Sequence, residues 1–169
     1  MKKVLWSGAL ALGVAALLAA VPAPAQAQEK LEGKAFDSAV VKDFYLEGNA
    51  IPTQKRNTVV LKGTDGKRMV FGLLDTTGYS AEIQAKYIGM MIVERKVTVG
   101  ATTLGAGAYG FGLRKPTPPE GPGHLMIYDV GGTKVAEAPA QYDKALAQPQ
   151  PLQFTNGRLY VGRHWVEIQ

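Results

Sequence analysis

Beyond Ala35 the chain never runs far before a glycine or proline interrupts it, and the stretches between are short, apolar and rich in β-branched and aromatic residues. Gly and Pro destabilise helix interiors, so this punctuation favours short strands joined by turns over a helical fold. NTVVLKG (residues 57–63) and RMVFGLL (residues 68–74) flank Thr-Asp-Gly, a hairpin signal. IGMMIVE, VTVG, AYGFGLR and HLMIYDV continue the pattern, and FDSAVVKDFYL (residues 36–46) reads as a further strand. Between the last two of the four lies KPTPPEGPG, which cannot supply regular ladder hydrogen bonds and is expected to be an exposed loop. Ser80 ahead of AEIQAK predicts a capped helix of about two turns, and QYDKALA (residues 141–147) a second short one. The expected fold is mainly β: an antiparallel sandwich or small barrel with one or two short helices.

Asn156-Gly157, set between LQFT and RLYVGRHWVEI, is the strongest hairpin signal in the chain. A two-residue turn there pairs Thr155 with Arg158 and Phe154 with Leu159, and puts Leu152, Phe154, Leu159 and Val161 on one core face. Continuing the period of two brings Arg163 and Glu167 inward, which buries charge. A bulge at Gly162-Arg163 is expected to shift the register, so that Val166 and Ile168 rejoin the core face behind His164. Arg163, Trp165 and Glu167 then face outward as a candidate binding group, because aromatic anchors and arginine are enriched at interfaces. The alternative is a Trp165 covered by a neighbouring loop.

The N-terminus has the organisation of an export signal. Lys2 and Lys3 precede an apolar run from Val4 to about Val21, and Ala25-Gln26-Ala27 fits a cleavage site. Residues 1–27 are expected to be a cleaved signal peptide, 28–35 a flexible leader, and 36–169 a single β-rich domain. The signal carries two of the 19 basic residues and none of the 14 acidic ones, so the remainder has a net charge of +3. Its basic residues are scattered in pairs, which argues against nucleic acid as a partner. There is no cysteine, so stability must come from the core and not from disulfides. A periplasmic or extracellular protein with no integral membrane segment after cleavage is expected.

Motifs that carry chemistry are sparse. Val70–Ser80 contains Asp75-Thr-Thr-Gly78, in which the glycine falls one residue later than in the Asp-Thr-Gly turn of aspartic proteases, and no second copy exists. Asp75 is therefore expected to end a strand and cap the turn into the Ser80 helix. Gly105-Ala-Gly-Ala-Tyr-Gly110 has dinucleotide-binding spacing, but it runs into Phe111-Gly-Leu and prolines instead of opening a helix. A glycine turn and a strand that leaves room for neighbouring aromatics is expected instead. His124 and His164 lie far apart without further histidine or cysteine nearby, so neither a metal nor a cofactor is expected.

VERKVTVGATTLGAGAYGFGLR (residues 93–114) resembles the strand, glycine turn and Leu-x-Ala-Gly-x-Tyr unit of small secreted bacterial β-rich proteins of the uncharacterised DUF2911 kind. The resemblance implies a sheet-rich exported domain and no particular site residue. The functional expectation is a non-catalytic binding or envelope-associated module whose partner is a small ligand or an envelope component. The alternatives are a hydrolase built around Asp75 with a histidine, and a structural subunit that associates through exposed sheet edges.

Overall fold

A computed structural model of the protein describes residues 28–169; the expected export signal lies outside the described residues. The elements run β1 (Glu29–Lys30), α1 (Gly33–Ala39), β2 (Asp43–Leu46), β3 (Asn49–Lys62), β4 (Arg68–Leu74), α2 (Ala81–Lys86), β5 (Gly89–Val93), β6 (Val97–Val99), β7 (Thr102–Leu104), β8 (Gly107–Arg114), β9 (Gly123–Asp129), β10 (Lys134–Tyr142), β11 (Leu152–Thr155), β12 (Arg158–Val161) and β13 (His164–Glu167). The fold is mainly β with two short helices, as expected from the punctuation.

One antiparallel sheet runs β1-β3-β4-β5-β8-β9-β10-β13-β12-β11, with β2 paired to the first half of β3. It curls until β11 lies against β3, and Phe154 of β11 stacks on Phe71 of the adjoining β4 with ring centres 5.9 Å apart. The separate β6–β7 hairpin covers one end of this half-barrel. It is tied there to the last residues of the chain by Thr98 and Gln169, whose backbones exchange hydrogen bonds of 2.7 and 2.9 Å. The opposite end, where β8, β10 and β12 finish and β9 and β13 begin, carries the 115–122 and 143–151 connections.

Alternation along the strands sorts the apolar residues into two clusters. Met69, Phe71, Met91, Phe111, Leu125, Ile127, Leu159 and Val166 fill the concave side. Leu46, Ile51, Val60, Val70, Leu74, Ile83, Tyr87 and Met90 form a second cluster on the convex side, roofed by the β2–β3 hairpin and the helices. Because both faces of β3–β5 are covered, their central residues read as continuous apolar runs instead of alternating ones.

Several local expectations hold. Ser80 Oγ accepts from the Ile83 amide at the start of α2. Thr155 pairs with Arg158 and Phe154 with Leu159 across Asn156-Gly157, whose φ values of 51° and 74° suit a two-residue hairpin. Gly107–Arg114 is a strand and opens no helix, and Gly110 does leave room for an aromatic: a Cβ there would lie 2.7 Å from the Tyr87 ring.

Other expectations are corrected. Phe36–Leu46 is not one strand: Phe36, Ala39 and Val40 lie at i, i+3 and i+4 and pack on the convex cluster from α1 and its C-cap, a helical spacing. Residues 141–147 form no helix. Gln141 and Tyr142 pair with Trp165 and His164 instead, and the carbonyls of Asp143, Lys144 and Leu146 accept from the Arg163 guanidinium. The expected leader is docked, with Glu29 opposite Lys62 and the Leu31 amide donating to Val60. Gly162-Arg163 is not a bulge but the turn of a second tight hairpin, since Val161 pairs directly with His164. That turn yields the same parity, so His164, Val166 and Ile168 are buried.

Candidate functional site

At the end of the half-barrel opposite the β6–β7 hairpin, the proline-rich connection 115–122 lies over the junction of β10 and β13. A cavity of about 210 Å³ opens there, lined by Lys115, Pro119, Tyr142, Arg163 and His164. Each wall follows from local structure. Tyr142 and His164 face each other across the ladder and therefore share a side of the sheet, with their rings edge to face at 5.1 Å. His164 is 4% exposed, and its Nε2 lies 3.0 Å from the Gly121 carbonyl. A carbonyl only accepts, so Nε2 carries the proton. That bond anchors the 115–122 connection over the mouth. Gly123, at the lip, has no alternative residue: a Cβ there would lie 2.6 Å from the Arg114 carbonyl and 3.3 Å from the His164 ring.

Arg163 is oriented from below. Its Nη1 donates to the carbonyls of Asp143 at 3.1 Å, Lys144 at 3.3 Å and Leu146 at 2.8 Å, which folds the 143–151 connection around the guanidinium. Lys115 approaches from the other wall, exposed, and among the described residues it joins no ion pair. No carboxylate lines the cavity. Asp143, the nearest in sequence to Tyr142, is engaged elsewhere: it accepts from the Ala145 amide at 2.9 Å and from the Tyr160 hydroxyl at 3.2 Å. Lys115 and Arg163, with Tyr142 and His164 between them, line a small open space that holds no carboxylate, an arrangement suited to a negatively charged group.

The three residues of the candidate binding group are not brought to one place. Arg163 belongs to the mouth. Trp165 is half-buried on the convex side, beside Tyr160, with the Arg158 guanidinium 3.9 Å from its ring centre. An arginine from the next strand thus covers one face of it. Glu167 sits exposed at the far end of β13, opposite Arg158 and bonded to the Gln169 amide group.

Asp75 is exposed just after β4. Its Oδ1 accepts from the Thr77 amide at 3.1 Å, and bonds from Thr77 hold its carboxyl below the usual carboxylate range. Among the described residues neither histidine bonds to it, since His164 is held by Gly121 and His124 Nδ1 lies 3.0 Å from Glu137. No group of three or more metal-ligating side chains occurs among the described residues.

Sequence reasoning missed Lys115, Tyr142 and His164 as partners of Arg163, and the signal for them is weak. Arg114-Lys115 directly before four prolines marks basic charge at a barrel mouth, but only the β10–β13 register brings Tyr142 and His164 beneath it. A second polar group, Glu47 with Lys86 and Tyr87, was also missed. It ties the β2–β3 turn to α2. No family model, curated protein or solved structure matches this chain.

Proposed function

We propose that this protein is an exported, non-catalytic binding module that takes a small anionic group, a phosphate or a carboxylate, at the mouth of its half-barrel. The observation that carries the reading is the open cavity between Lys115 and Arg163, which contains cationic and hydrogen-bonding groups and no carboxylate. Barrel mouths are a common place for small-molecule sites. Arg163, already oriented by three carbonyls, loses little freedom when an anion arrives, and this preorganisation favours binding.

The non-catalytic part of the reading is supported by the separation of the ionisable candidates, because Asp75, His124 and His164 each serve a different local partner. Export is supported by the signal-like first 27 residues. Isothermal titration with inorganic phosphate tests the site, with Lys115→Gln as the variant because Lys115 is exposed and joins no ion pair among the described residues. We expect one phosphate per chain and affinity about tenfold weaker in the variant, the size of one lost charge-assisted bond. Undetectable phosphate and acetate binding by the unaltered protein overturns the reading.

A further inference from the structure

On the convex face beside the mouth, three basic side chains converge on one carboxylate. Glu137 Oε1 accepts from Arg114 at 2.9 Å and from His124 Nδ1 at 3.0 Å, while Oε2 accepts from Lys134 at 2.7 Å. The strand register builds the group: Arg114 of β8 pairs with His124 of β9, and Glu137 lies two residues before Pro139, the partner of His124 on β10. One carboxylate cannot neutralise both Arg114 and Lys134. The side chains of Arg114, His124 and Lys134 remain 60%, 46% and 51% exposed, and a guanidinium or ammonium has more donors than this shared acceptor satisfies. Glu137 thus holds three basic heads in a fixed array with donors left over for solvent.

This array and the mouth cavity adjoin. Arg114 and Lys115 are consecutive, so one points to the array and the next to the cavity. His124 and Gly123 are consecutive as well, and Gly123 is the lip against which the His164 ring rests. The path over the lip is therefore basic on both sides, and the one acidic residue of the 115–122 connection, Glu120, does not line the cavity.

We infer that the cavity and the Arg114–His124–Lys134 array form one continuous track for a molecule carrying two or more linked phosphate or carboxylate groups, one seated between Lys115 and Arg163 and the next over the lip on Arg114 and His124. This rests on the anion reading of the mouth. Linking two anionic groups makes the second contact intramolecular, so affinity rises with the number of groups even though each contact is weak.

Titration with phosphate, pyrophosphate and tripolyphosphate tests the inference, using the unaltered protein, Lys115→Gln, and the double variant Arg114→Gln with His124→Gln. Tripolyphosphate is expected to bind at least about tenfold more tightly than phosphate. The double variant should lose that gain while keeping phosphate affinity, and Lys115→Gln should weaken all three ligands. Phosphate binding with no gain along the series, or a gain that survives in the double variant, overturns the track and leaves the mouth reading standing. Loss of all binding in the unaltered protein removes both. Co-sedimentation with phosphatidylcholine vesicles containing phosphatidic acid identifies the source: binding that the double variant abolishes assigns the track to lipid headgroups, and tripolyphosphate binding without vesicle binding assigns it to a soluble oligoanion. If circular dichroism shows the double variant to be unfolded, the single variants Arg114→Gln and His124→Gln replace it, and a gain that survives in both overturns the track.

Discussion

The Tyr87 hydroxyl donates a 2.6 Å hydrogen bond to Glu47, joining the residue after α2 to the turn between β2 and β3. Glu47 adopts a left-handed φ of 50°, a conformation uncommon for residues other than glycine and asparagine. Its backbone amide is bonded to Val130, and its carboxylate also accepts from Lys86, whose ammonium lies 5.0 Å from the Tyr128 ring centre. Tyr87→Phe keeps the ring and removes the bond. The variant is expected to lose about 1.5 kcal/mol in urea denaturation, at the low end for a bond to a charged acceptor because Lys86 still serves Glu47. An unchanged midpoint would show that the bond contributes nothing.

The same contact sets a dependence on pH. Glu47 is held below its ordinary value of 4.5, first by the Lys86 hydrogen bond and then by that of Tyr87, and Glu94 is held down by Arg68. A carboxyl lowered in the folded state contributes stability that is present above the ordinary value and is lost as pH falls through the folded one. Melting temperature is therefore expected to be level through neutral pH and to decline below about pH 4.5. Glu47→Gln should lower the plateau and flatten part of the acid slope.

Gly112 lies under α2, where a Cβ would approach the Lys86 carbonyl oxygen to 2.2 Å. The clash is with backbone, so rotamer changes cannot relieve it. Gly112→Ala is expected to cost about 1–3 kcal/mol, as overpacking does, and to raise hydrogen exchange in residues 81–88. Unaltered exchange there would place the relaxation elsewhere.

Trp165 is half-buried beneath Arg158. Trp165→Ala is expected to cost about 2 kcal/mol, less than the ~3–5 kcal/mol of a fully enclosed ring. Acrylamide should quench this tryptophan partially in the native protein and more strongly in Arg158→Ala.

Arg163 supports a connection as well as a cavity wall. Arg163→Lys keeps the charge but replaces a planar fork with a single ammonium that cannot reproduce its geometry. Limited proteolysis is expected to cut within 143–151 faster in the variant, with Lys144 the tryptic site. Equal cleavage rates would show that the three carbonyls hold the connection without the guanidinium.

The fold class was legible because glycine and proline punctuate nearly every strand boundary, and Asn156-Gly157 fixed a register that the structure reproduces pair by pair. Two kinds of feature were not. Residues 36–40 carry helical spacing inside a run whose valines and aromatics also suit a strand, and only packing on the convex cluster decides between them. Strand β10 contains Pro139, which obscures a strand pattern, and it is tolerated because β10 meets β13 only at Gln141 and Tyr142. The mouth was less legible still. Arg163 stood out as a charge near a turn, but its partners lie 21 and 48 positions away at Tyr142 and Lys115, and ladder register, not motif, unites them.

In the curled sheet, β11 pairs with β12 alone and lies against β3 without a ladder between them. The wall is therefore a split ring and not a welded one. Phe154 meets Phe71 by ring stacking, and β11 has a ladder to β12 alone, so the seam is closed by apolar contact and not by backbone hydrogen bonds. A wall closed in this way has one line that no ladder crosses, and that line begins beside Pro151, close to where Arg163 gathers its carbonyls.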